Sequence, residues 1–207
     1  MKKYLSSYKI WNEWEKYKKL FWKQKDILYI ANALDMVQDL KWKANHEKED
    51  IGSLEDLWFV VEWLDLREYF WKKSELEKKL ANYWGVFVSG GNVFVLNQSF
   101  KLSWFWKIIQ AYDENNPEFV YAGYSAWVCV LSPSLDWYDI VDDAKMFPYK
   151  ELQEQVWRGL WVINFNFSPH YDSDHPESDL IDKEIKYCIQ NKILFKAVRD
   201  WEVLIIE

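Results

Sequence analysis

Apolar positions come in two rhythms along this chain of 207 residues. Short, nearly unbroken apolar runs at 26–33 (DILYIANA), 59–66 (FVVEWLDL), 85–89, 118–123 and 162–167 predict buried strands. Between them, 46–57 is charged with helical spacing, 93–111 reads as mostly helical, and 177–190 reads as a helix. A further helix is expected over 74–81, with Ser74 as N-cap and Glu77 three residues on as its capping-box partner. The runs 193–198 and 203–206 predict a terminal pair of strands. Strands alternating with helices imply an α/β fold: a mainly parallel sheet with helices on both faces. No linker or internal repeat interrupts the pattern, so a single domain over 1–207 is expected. In such a sheet ligands bind beyond the carboxyl ends of the strands.

Composition adds one anomaly. The chain has 15 Trp and 6 Gly, where an ordinary glycine share of about 7% would give about 14. The misfit is also positional. Leu57-Trp58-Phe59 ends a helical pattern where a C-cap glycine is usual. Asp200-Trp201-Glu202 separates two apolar runs where a hairpin favours Asp-Gly. Lys9-Ile10-Trp11-Asn12, Phe70-Trp71-Lys72, Ser103-Trp104-Phe105 and Asp136-Trp137-Tyr138 are turn-like too. Some lineages read the codon UGA as glycine, and a common translation table reads it as Trp. The pattern therefore predicts glycine in the cell at Trp11, Trp14, Trp22, Trp58, Trp71, Trp84, Trp104, Trp127, Trp137, Trp161 and Trp201, which would bring glycine to 17. The competing expectation is a tryptophan-rich protein with Trp as core filler.

The formal net charge of -7 argues against binding nucleic acid through phosphates. The lysines between 16 and 25 are interleaved with acids and aromatics, which suits a solvated helix face. No apolar run is long enough for a membrane span, and no apolar signal core follows Met-Lys-Lys, so a cytoplasmic protein is expected. Cys129 and Cys188 are too few and too far apart for a disulfide framework or zinc site and read as buried thiols.

The chemistry gathers in the second half. Gly123-Tyr124-Ser125-Ala126-Trp127 follows a strand and precedes a helical pattern; with glycine at 127 it would read G-x-S-x-G, a nucleophile elbow. The Ala126 amide then points at the oxyanion. Gly90-Gly91-Asn92 ends another strand; it is a turn with Asn92 as N-cap and a source of a second oxyanion amide. The serine needs a base. His170, in Ser168-Pro169-His170-Tyr171-Asp172, lies beyond a strand's carboxyl end, on the rim where Ser125 emerges. His175 is the weaker candidate, and His46 reads as solvent-facing on its charged helix. Asp136 and Asp139 are both open as the third group that orients the imidazole, with Asp142 and Asp143 as further options that suit a solvated pair. The donors His170, Asp172, Asp174 and His175 are dense enough to raise a metal site, but as a hydrophilic loop they read as solvated acids, and no cofactor is expected.

Together SGGNVF, GYSAW and FSPHYD resemble the peptidase E family of serine exopeptidases, which carry a GGN turn, a GxSAG-type elbow and a PH motif. The resemblance runs from DILYIANA to RDWEVLIIE and implies a class I glutamine amidotransferase-like fold. It implies Ser125 as nucleophile, His170 as the family histidine, Asp136 as the acid after the elbow, and Gly91 in the oxyanion turn. Family members include dipeptidases that cleave after an N-terminal aspartate. The implied partner is a small peptide substrate, without nucleic acid or membrane, for a monomer or homodimer. The departure at Trp127 crowds the elbow. Other expectations are a cyanophycinase-like hydrolase of an aspartate-rich polymer and a non-catalytic binding domain; a glutaminase would carry cysteine at the elbow.

Overall fold

The computed structural model describes residues 1–10 and 13–207, so Trp11 and the turn expected around it lie outside the described residues. In chain order the strands are β1 (Lys2–Ser6), β2 (Asp26–Ile30), β3 (Val60–Trp63), β4 (Gly85–Val88), β5 (Val120–Tyr124), β6 (Asn166–Ser168), β7 (Phe195–Ala197) and β8 (Val203–Ile206). The helices are α1 (Trp14–Leu20), α2 (Leu40–Asp56), α3 (Lys73–Leu80), α4 (Val93–Leu102), α5 (Phe105–Asn115), α6 (Ala126–Cys129) and α7 (Ser178–Gln190).

Six strands form one sheet in the order β3-β2-β4-β5-β1-β8, parallel except for β8, which runs antiparallel to β1. The central strands read as apolar runs because both faces are covered. Leu28, Ile30, Val86, Val88 and Tyr121 pack with α3, α4 and α5 on one face. Ile27, Tyr29, Phe87, Val120, Ala122 and Tyr124 pack with α1 and α2 on the other. Period-2 alternation thus divides each strand between two cores, and the α/β reading with helices on both faces holds.

Several expectations shift. β1 was not anticipated: Lys2, Lys3 and Ser6 interrupt its apolar pattern, yet it lies between β5 and β8. Lys3 is buried there, with its amine 2.5 Å from Asp113. The helix expected over 93–111 is two helices, broken at Ser103-Trp104. α3 begins one residue before Ser74, and its N-cap Lys72 has no side-chain cap, so the Ser74–Glu77 capping box does not form. The terminal strands do not pair with each other: β7 joins β6 in a separate two-stranded sheet, while β8 adds to β1. Asp200-Trp201-Glu202 is therefore a connection between two sheets, which frees Asp200 from a hairpin turn.

The tryptophan anomaly has a backbone counterpart. Ten described non-glycine residues have positive φ, and five of them are Trp22, Trp58, Trp71, Trp104 and Trp161. This left-handed region costs an L-residue roughly 1–2 kcal/mol and is the ordinary place of glycine. Trp58 shows why. It follows α2 with φ 74, its N–H reaches the Glu55 carbonyl, and the next N–H, of Phe59, reaches back to Leu54. That is a Schellman motif with Trp in the glycine seat. Trp22 and Trp104 occupy the same place after α1 and α4. Nor are these rings core filler: Trp22 is 84% exposed and Trp58 70%. Trp127 differs. It is fully buried, stacked 4.2 Å from Tyr121, with its indole N–H unpartnered.

Candidate active site

β5 delivers Ser125 to the carboxyl rim of the sheet. The turn is tight: Ser125 sits at φ 57, ψ -124, a strained conformation for a non-glycine residue. Gly123 has φ +150, and a Cβ there would overlap the Val88 carbonyl oxygen of β4. The first glycine of the elbow is thus required by strand approach. Trp127 does not force the elbow open, contrary to the crowding expected from the sequence. Its ring packs on Tyr121 below the turn while Ser125 keeps its partner.

That partner is His170. Ser125 Oγ lies 3.1 Å from His170 Nε2, and His170 Nδ1 lies 2.6 Å from Asp200 Oδ1. A carboxylate only accepts, so Nδ1 carries the proton and Nε2 keeps a lone pair for the serine hydroxyl. Burial raises the Asp200 carboxyl, but the hydrogen bond and charge of His170 outweigh it and hold it below the usual range. Ser7, at the end of β1, joins the two: its hydroxyl accepts the His170 backbone N–H at 2.7 Å and lies 3.1 Å from Asp200 Oδ1. His175 stacks on the imidazole at 3.6 Å, with rings 6° from parallel. Burial and the neighbouring His170 push it down to about 4, so it is neutral around pH 7 and adds no charge beside His170.

The sequence candidates divide. Ser125 and His170 come together; Asp136 does not join them. It is exposed on a turn, accepting a hydrogen bond from Ser134 at 2.6 Å, and the carboxylate at the imidazole is Asp200. Asp139 is exposed as well. His46 is not solvent-facing: its Nε2 lies 2.8 Å from the Tyr124 hydroxyl, which donates to buried Asp50. Asp172 pairs with Arg199, and Asp174 is exposed. Among the described residues, the group able to gather on a metal is instead His170, His175 and Glu177, within 4.8 Å of one another. Since both ring nitrogens of His170 are engaged, an ion there would compete with Ser125.

Gly91, Ser125 and Ala126 line one cleft. Gly91 has φ +136, and a Cβ would meet the Ala33 carbonyl. Gly90 abuts Ser125, since a Cβ there would lie 3.2 Å from Ser125 Cβ. Ala126 opens a helix, where backbone N–H groups have no intrahelical acceptor. Asn92 caps α4 as expected, accepting from Phe94 and Val95.

Three acids also line this cleft: Asp142, Glu177 and Glu184. Asp142 is no solvated acid; it accepts the Val93 N–H at 2.7 Å, and burial raises it to about 7. Burial likewise raises Glu184 to about 7, against hydrogen bonds from Ser168 and Asn166. Burial raises Glu177 as well. The folded chain therefore keeps a proton on Glu184 that an unfolded glutamate releases near its ordinary value of about 4.3. This contribution is intact below about pH 4 and erodes as pH rises towards 7. Relative to Glu184→Gln, the wild-type protein is expected to lose roughly 2–3 kcal/mol between pH 5 and pH 8. Urea midpoints of both proteins at the two pH values check this; parallel pH dependence would contradict it.

The sequence profile of peptidase family S51 matches residues 15–199. An uncharacterized peptidase of Listeria monocytogenes is 29% identical over 121 residues, which is 58% of this chain and 55% of that protein. The match thus spans little more than half of that relative's length. The crystal structure of a Listeria monocytogenes protein assigned to peptidase E superposes with a TM-score of 0.76 at 21% identity, covering 99% of this chain and 93% of that one. The structure of a peptidase from an acI-B1 actinobacterium gives 0.68 at 14% identity, covering 100% and 83%. At these identities the superpositions show a shared fold.

Proposed function

Since the chain belongs to peptidase family S51, a family of serine peptidases, we propose that it hydrolyses short peptides with Ser125 as nucleophile, His170 as base and acid, and Asp200 as the orienting carboxylate. The observation that carries the reading is the relay itself: Ser125 Oγ 3.1 Å from His170 Nε2, and Nδ1 2.6 Å from Asp200. Ser125 Oγ attacks the peptide carbonyl carbon and gives its proton to Nε2. The Asp200 carboxylate stabilises the imidazolium. The oxyanion faces the Gly91 and Ala126 amides. Collapse passes the proton to the leaving amine and leaves an acyl-serine, which water attacks with His170 again as base. With Oγ and Nε2 already within hydrogen-bond reach, orientation for proton transfer is built into the folded chain.

Aspartyl dipeptides are the finer substrate proposal, through the resemblance to peptidase E. An aspartyl side chain has to lie outside the acid-lined cleft, which offers it carboxyl groups and, among the described residues, no Lys or Arg to pair with. Two free, buried thiols fit a reducing cytoplasm, and no helix among the described residues is long and apolar enough to cross a membrane. Release of free amino acids from a dipeptide panel, aspartyl dipeptides included, tests the proposal. Cleavage by the wild-type protein is expected, and cleavage that persists in Ser125→Ala would overturn the assignment.

A further inference from the structure

The cleft beside Ser125 has a one-sided chemistry. Its charged lining residues are Asp142, Glu177 and Glu184, and no Lys or Arg among the described residues lines it. The remaining walls include the apolar or weakly polar Cys129, Val141, Pro169 and Ile181. Glu184 is the deepest of the acids: its side chain is fully buried on the inner face of α7. One carboxylate oxygen, Oε1, accepts from Ser168 at 2.7 Å and Asn166 at 2.9 Å. The other, Oε2, is buried with no partner among the described residues. An unpartnered buried acceptor is costly and rare, and this one belongs to a residue lining the cleft that the nucleophile shares.

We propose that this cleft receives a primary ammonium group of the substrate, with Glu184 as the inner ligand and Asp142 and Glu177 at its sides. The inference rests on the serine peptidase reading for its place in the reaction. Three carboxyl groups around a narrow space suit the three N–H donors of an ammonium, whose positive charge draws the retained proton off Glu184 and leaves it an acceptor. The cavity has a volume of about 20 Å³, close to what a single water requires. That suits a compact ammonium head better than the broad, planar guanidinium. A peptide anchored in this way would present its carbonyl to Ser125 and its oxyanion to Gly91 and Ala126, which line the same cleft. Two groups of a peptide carry this chemistry: the free α-amine of an N-terminal residue and the side-chain amine of lysine.

Calorimetric titration separates them without using the nucleophile. Three probes suffice: glycinamide, its Nα-acetyl derivative, and Nα-acetyl-lysinamide. At least one ammonium probe is expected to bind, while Nα-acetylglycinamide, which lacks the charge, is expected not to. Glycinamide binding identifies the α-amine, and Nα-acetyl-lysinamide binding identifies the side chain. Glu184→Gln is expected to weaken the bound probe at least about tenfold. Asp142→Asn, at the cleft's side, repeats the test should the buried substitution unfold the protein, which a thermal melt reveals. Absence of binding by both ammonium probes, binding of acetate in their place, or unchanged affinity in a folded variant would overturn the proposal. Failure of the peptidase reading would appear elsewhere, as a wild-type protein that binds the probe but does not react at Ser125.

Discussion

Ser125→Ala is expected to lower kcat by about 10⁶-fold, and Asp200→Asn by about 10⁴-fold, while Asp136→Asn leaves it within about twofold. The first loss is the nucleophile itself. The second follows from a tautomer. In the wild-type protein Asp200 Oδ1 lies 2.6 Å from His170 Nδ1 and, as an acceptor, holds the proton there. An asparagine can turn its amide N–H towards Nδ1, which moves the ring proton to Nε2. That nitrogen then faces Ser125 Oγ as a donor and cannot take its proton. KM should change little, since Asp200 acts through His170 rather than on the peptide. Asp136 serves as the control because it is exposed and bonded to Ser134. Turnover of purified variants on one dipeptide decides the matter. Equal effects of Asp200→Asn and Asp136→Asn would remove Asp200 from the relay.

The second large effect concerns stability. Replacing Trp22, Trp58, Trp71, Trp104 and Trp161 together by glycine is expected to stabilise the protein by about 3–5 kcal/mol. Each left-handed Trp costs roughly 1–2 kcal/mol, and glycine gives back about 0.5–1 of that through its greater freedom when unfolded. For a chain of this size the gain corresponds to a rise in Tm of roughly 10 °C. Trp22 and Trp58 line one surface depression, so their two contributions are not independent. Trp127 stays outside the set. Its ring fills core space against Tyr121, and removing it sets a cavity cost against relief of the unpartnered indole N–H. Thermal melts of the two proteins give the comparison, and an unchanged or lower Tm would contradict it. Mass spectrometry of peptides from the native cell, with glycine expected at these five positions, tests whether the codons are read that way.

The parts of the site carried by local patterns were legible in the sequence. Ser125 announces itself through Gly123-Tyr124-Ser125 directly after an apolar strand, and His170 through its place past another strand. Both depend on a few neighbouring residues. Asp200 depends on strand pairing across the whole chain. A turn acid between two apolar runs reads as a hairpin, and only the docking of β8 on β1 and β7 on β6 brings it beside His170. Only the family resemblance favours Asp136, since no feature of its own segment separates it from Asp139. Glu184 did leave a signal. It shares the buried stripe of α7 with Ile181 and Cys188, and an acid on an apolar stripe is unusual unless paired or functional. β1 was hidden because buried Lys3 mimics a solvated position. The left-handed tryptophans were legible where a helix visibly ended, as at Trp58, because chain reversal there demands positive φ whatever residue is written.

The central claim, that Ser125 is an activated nucleophile, is tested most directly by mapping a fluorophosphonate adduct on the wild-type protein by peptide mass spectrometry. The account predicts a single adduct at Ser125, absent in Ser125→Ala and formed far more slowly in Asp200→Asn. An adduct at a different serine, or peptide cleavage by a protein whose Ser125 does not react, would contradict it.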